Sequence, residues 1–198
     1  MSEQSTDSNL VGISSPSLLE RELGLPAVQA GGEVVNRVSN SSLVTLDLEQ
    51  FQDSNPRTLF DIKDWLYQGI ILKEKEFRVQ IKSHDWIQYK NHNVAISCST
   101  DAIIPTWAFM LVAVSLQPHV NKQIFGSLTE LETQLYLVAL DKIDWQKYKQ
   151  AKVVIKGCSK VEVPIAIYVE AISRLRPLAT SVMFGEPCST VPLFKNRN

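Results

Sequence analysis

The chain has 198 residues, 44% of them hydrophobic and 21% charged, so it can build a core of domain size and wholesale disorder is excluded. Twenty lysines and arginines stand against 21 aspartates and glutamates. No net charge is left to hold nucleic acid, and no basic cluster compensates locally.

The first residues, MSEQSTDSNLVG, lack a positively charged start followed by an apolar run, so no secretory signal is expected. Residues 1–33 are serine-rich and poor in β-branched and aromatic types. Within them Leu18 to Leu23 (LLEREL) has the pattern of a turn or two of helix, bracketed by Pro16, Pro26 and Gly31-Gly32. A helix that short is marginal without a partner surface. We read a disordered leader over 1–33, with a partner-docking peptide as the alternative, ahead of a single α/β domain over 34–198.

From Leu43 the pattern changes. In LVTLDLEQF, Val44, Leu46 and Leu48 alternate with Thr45, Asp47 and Glu49, the mark of a half-buried strand. The turn signal QDSNPR leads into TLFDIKDWL, again strand-like, and the two strands are expected as a hairpin or as neighbouring edge strands. ILKEKEFRVQIK reads as helix, with Glu74 and Arg78 spaced for an ion pair.

The most informative feature is a repeat at an offset of 59 residues, which lays 77–126 over 136–185 without a gap. Asp85, Trp86, Tyr89 and Lys90 meet Asp144, Trp145, Tyr148 and Lys149; Pro105, Leu116 and Pro118 meet Pro164, Leu175 and Pro177. Val79, Val94, Ile96 and Phe125-Gly126 find counterparts in Val138, Val153, Ile155 and Phe184-Gly185. That makes 12 identities in 50 positions, where ordinary residue usage would give roughly three.

Each copy reads helix, strand, helix, strand. Leu128, Leu131, Leu135 and Val138 form one helical stripe; Ile165, Tyr168, Ile172 and Leu175 form another. Trp107 to Leu116 is apolar all round and is expected to be deeply covered. The apolar stretch Ala102 to Leu116 is too short to span a bilayer, and Pro105, Thr106 and Ser115 interrupt it, so no membrane partner is expected. The expected architecture is a three-layer α/β fold with one mostly parallel sheet, built on an internal duplication and flanked by the N-terminal strands. The Trp and Tyr of each DW-x-x-Y pair are expected to pack a helix end onto the sheet.

Three cysteines without a CxxC pair argue against a disulfide framework and for reduced thiols in a cytoplasmic setting. Cys98 and Cys158 end equivalent strands, and Cys188 follows the last strand of the repeat. All three therefore fall at carboxyl ends of parallel strands, where open α/β sheets place ligands. If a pseudo-twofold axis brings the two copies' first strands together, three thiolates with Asp101, Glu186 or water could hold zinc or part of an iron–sulfur cluster. Redox or sulfur-carrier chemistry is a second reading, and three inert buried thiols a third. Two identical tripeptides, Cys98-Ser99-Thr100 and Cys188-Ser189-Thr190, add a further candidate. The hydroxyls of Ser99, Thr100, Ser189 and Thr190 could meet an anion at a helix start, or serve merely as caps and turns. His84, His92 and His119 are not shared between the copies, and no P-loop, GxGxxG, HExxH or GxSxG occurs.

EVVNRVSNSSLVTLDLEQF, LFDIKDWLYQGIILKEKEFR, HDWIQY, SCSTDAIIPTWAFMLVA, VVIKGC and MFGEPCSTVPLFK together resemble an uncharacterised family from Bacteroidetes, domain-of-unknown-function family 2480. The likeness runs from about Glu33 to Lys195 and brings no catalytic residue or ligand with it. It implies a genomic neighbourhood of sulfur-mobilisation genes, hence iron–sulfur assembly proteins as partners. The expectation is a cytoplasmic accessory protein in iron–sulfur or metal handling that acts by binding rather than turnover. The alternative is an enzyme or sensor holding a small anionic ligand at the carboxyl edge of the sheet. Oligomeric state is left open.

Overall fold

The computed structural model describes residues 43–157 and 160–196, all within the compact unit Val38–Asn198. The leader and Cys158 lie outside the described residues. In chain order the elements are β1 (Leu43–Asp47), β2 (Arg57–Asp61), α1 (Glu74–Ser83), β3 (Asn93–Ser97), α2 (Thr106–Leu116) and β4 (Lys122–Phe125). There follow α3 (Leu128–Asp141), β5 (Lys152–Lys156), α4 (Ile165–Leu175), β6 (Ser181–Glu186) and β7 (Ser189–Lys195). No helix among the described residues is long and apolar enough to cross a membrane.

The fold is α/β with parallel pairing throughout, except for the antiparallel β6–β7 pair. One expectation needs correcting: there are two sheets, not one. The first is β2-β3-β4 and the second β1-β5-β6-β7. The N-terminal strands form no hairpin; β1 pairs with β5 and β2 with β3, each at the edge of its own sheet. The β2–α1–β3, β3–α2–β4 and β5–α4–β6 crossovers each close on one sheet, while α3 carries the chain from the first sheet to the second, so β3 and β5 are not neighbours. No central pseudo-twofold pairing unites them.

α3 packs against both sheets. Its Leu131 and Leu135 pack with Ala95 and Ile124 of the first sheet, while its Tyr136 and Leu140 join Val153, Ile155 and Val182 of the second. The first sheet is thus a helix–sheet–helix sandwich, with α1 and α2 on the face of Val94 and Ile96 and α3 on the face of Ala95. A capping box starts α3: Ser127 Oγ accepts from Glu130 N at 3.2 Å, and Glu130 accepts from Ser127 N at 2.7 Å. Its predicted stripe is only half right, since Leu128 and Val138 are exposed and Tyr136 and Leu140 buried.

The two halves carry the same elements at the 59-residue spacing, from β3, α2 and β4 to β5, α4 and β6. The DW-x-x-Y motif is a helix-end clasp in both. Asp85 and Asp144 accept from the amides two residues on, and the indoles of Trp86 and Trp145 donate to the Ile81 and Leu140 carbonyls at 2.8 and 3.0 Å. Gly126, just past β4, and Gly185, within β6, stand at φ +140° and +119°, a conformation L side chains rarely adopt.

At the amino ends of the first sheet, buried Asn93 is held by Asp53 and Asn121, each at 2.8 Å. Arg57 makes a two-pronged bond to Glu132 at 2.8 and 2.9 Å, which ties β2 to α3. The expected Glu74–Arg78 pair forms at 2.9 Å.

Candidate functional site

The carboxyl ends of the two sheets hold most of the residues singled out from the sequence. Asp47 and Asp61 close β1 and β2 and accept from the amides of Glu49 and Lys63. Asp61 also accepts from Ser99 N at 3.1 Å and faces Lys63 Nζ at 3.4 Å. Burial pushes the Asp61 carboxyl up, but the bonds from Ser99 and Lys63 outweigh it and hold it below the usual range.

Cys98 follows β3, half-buried against the α2 core, and its thiol donates to the Thr100 carbonyl at 3.7 Å. Its counterpart at the 59-residue offset is Gly157, where a Cβ would collide with the hydroxyl of Tyr168. Tyr168 in turn corresponds to Phe109, which has no hydroxyl. The two halves therefore exchange Cys98 with Phe109 for Gly157 with Tyr168, a trade in volume that packing explains.

Cys188 is exposed in the turn between β6 and β7. Glu186, at the end of β6, pairs with Lys156 Nζ at 3.3 Å, which raises the lysine pKa. Asp101 is exposed in the β3–α2 connection. Cys98 and Cys188 thus belong to different sheets. Among the described residues no group of three or more His, Cys, Asp or Glu is placed to hold a metal ion.

Neither CST tripeptide sits at a helix start. Ser99 and Thr100 precede α2 by several residues, with Pro105 as the N-cap. Ser189 and Thr190 open β7, a strand absent from the sequence reading, and the Thr190 hydroxyl donates to Met183 Sδ at 3.6 Å.

The concave surface lies elsewhere, against α4. A groove of about 490 Å³ is lined by Ile155, Val163, Tyr168, Ile172, Phe184 and Leu193, with Ile165 and Val169 on its rim and Glu162 its one carboxylate. It opens beside the carboxyl end of β5. The first half carries a counterpart of about 530 Å³ between α2 and β4, lined by Ile96, Phe109, Met110, Ala113, Gln123 and Phe125. Edge-to-face ring pairs mark equivalent places: Tyr168–Phe184 at 5.6 Å and Phe109–Phe125 at 4.9 Å.

The sequence reading missed these grooves because it turned Ile165 inward. The buried face of α4 is Ile167, Ala171 and Leu175, and Ile165 is 81% exposed. α2 likewise corrects the expectation of deep cover, for Met110 is 63% and Val114 65% exposed. The available signal was an apolar arc on both helices wider than one sheet face can use.

His84 was also underrated. It sits among Phe60, Trp65, Trp86 and Tyr89, with Nε2 at 3.1 Å from the Tyr89 hydroxyl. Burial holds its pKa below the ordinary histidine value, against a smaller opposing pull from Asp85.

Over residues 32–196 the chain matches the family described as protein of unknown function (DUF2480). The chain belongs to that family. No curated protein and no solved structure matches it. The matched span takes in every described element of this DUF2480 member, both grooves included.

Proposed function

We propose that this DUF2480 protein is an accessory factor that acts by binding, seating an apolar segment of a partner protein in the α4 groove. The observation that carries the reading is the groove itself. Its volume falls in the range of binding sites, its lining is aliphatic and aromatic, and exposed Ile165 and Val169 extend the apolar surface beyond its mouth. Solvated apolar surface of this kind is stabilised when another apolar surface covers it. Peptide selection against the intact chain tests it. Selected peptides should share apolar anchors and lose binding to Val169→Asp, a surface change that leaves the circular dichroism spectrum intact. Peptides that bind the variant equally well would sink the reading.

A second reading keeps the thiols as ligands in iron–sulfur or metal handling, with iron–sulfur assembly proteins as the partners. In its favour, Cys98 and Cys188 both lie at carboxyl ends of strands, where such ligands gather. The proposed ligand set is Cys98, Cys158 and Cys188 with Asp101 and Glu186, and it would have to draw on both sheets. Zinc, iron and labile-sulfide analysis of anaerobically purified protein decides it. Stoichiometric metal that is lost in Cys→Ser variants is expected. Metal-free protein with freely titrating thiols would end the reading.

A further inference from the structure

We propose that the outer edge of β4 is a self-association edge, where a second copy of this chain lays its own β4 antiparallel and closes the groove over α2. The molecule contains its own control for this. β6 occupies in the second sheet the place of β4 in the first, and antiparallel β7 lies along its outer edge. Leu193 of β7 lines the α4 groove, and Phe184 beneath it is only partly exposed. No strand lies along the outer edge of β4 among the described residues. Phe125, the counterpart of Phe184, is 69% exposed.

A second copy is the occupant that the chemistry favours. A twofold axis normal to the sheet makes two β4 strands antiparallel, the orientation β7 already adopts, and keeps both α2 helices on the same face. The six strands would run β2-β3-β4-β4-β3-β2, with α2 beside its counterpart across the seam. α2 carries no charged residue, so the two helices meet without like-charge repulsion, and Lys122 is the one charged residue of β4. The side chains of Met110, Val114 and Phe125 leave roughly 300–400 Å² of apolar surface bare on each copy, as much as a monomer's largest patch usually shows. Two copies with their strand edges reach roughly 1,000–1,200 Å² in total, the small end of specific interfaces. Association should therefore be concentration-dependent, in the micromolar range.

The test is sedimentation velocity on the full chain from low to hundreds of micromolar. Wild type should pass from monomer to dimer. Met110→Glu and Phe125→Asp, both at exposed positions, should weaken association about tenfold or more with unchanged circular dichroism. Val169→Asp, in the equivalent α4 groove, should dimerise like wild type, which separates this inference from the proposed partner groove. A wild type that stays monomeric throughout overturns it, as does a dimer indifferent to both β4-groove variants. A dimer lost in Val169→Asp instead would move the interface to α4 and overturn it equally.

Discussion

Gly157 and Tyr168 show how one atom can decide a residue. Because a Cβ at Gly157 would meet the Tyr168 hydroxyl, Gly157→Ala should destabilise by about 1–3 kcal/mol through overpacking. Adding Tyr168→Phe should restore most of it, a coupling that a double-mutant cycle by urea unfolding would measure. Additive effects would mean that the two do not share the space. His84 supplies a pH dependence at the same scale. Its folded-state pKa is depressed, so the unfolded chain binds the proton more readily, and stability falls as pH drops through the unfolded value of about 6.5. Between neutral and mildly acidic pH the melting temperature should fall less in His84→Gln than in wild type. Equal falls would place the titrating group elsewhere.

At the scale of elements, Arg57–Glu132 is the fastening with the best geometry. Both side chains are about four-fifths buried, at 21% and 20% exposure, so screening by solvent is limited. Glu132→Ala leaves the Arg57 guanidinium with only its Asp53 and Asn55 contacts and should cost about 1–2 kcal/mol, read as a lower urea midpoint. No change would mean that packing of Leu131 and Leu135 alone holds α3 to the first sheet. Elements were also the scale at which the sequence was most readable. Strand alternation at Val44, Leu46 and Leu48 and the Glu74–Arg78 spacing both report local physics that the fold keeps. Helix facing was less readable. Periodicity says which residues are apolar together, but Ile165 and Ile167 both fit an apolar arc, and only the position of the sheet selects between them. β7 escaped notice because Pro192 and its short, partly polar run resemble a loop; a proline is tolerated there since the strand lies at an edge.

At the scale of the whole molecule, the number of sheets could not be read from the repeat. A 59-residue offset constrains what each half contains and is silent on which strands pair between halves. The convergence of Cys98 with Cys158 depended on that pairing. The grooves were illegible for a related reason: apolar residues look alike in sequence whether a core or a partner covers them. If an apolar partner surface covers Met110, Val114 and Phe125, self-association should be nearly indifferent to salt and weaken on cooling. Sedimentation at two salt concentrations and two temperatures checks this, and strong salt sensitivity would point to charged contacts instead. The threading of the strands reaches into synthesis as well. β2, β3 and β4 come from one continuous stretch, whereas the other sheet takes β1 from before that stretch and β5 to β7 from after it. On the ribosome the three-stranded sheet can close while Leu43 still waits for Lys152, its register partner. Until β5 emerges, β1 is an unpaired apolar strand held in readiness, so its exposure to aggregation lasts through the synthesis of everything between Asp47 and Lys152.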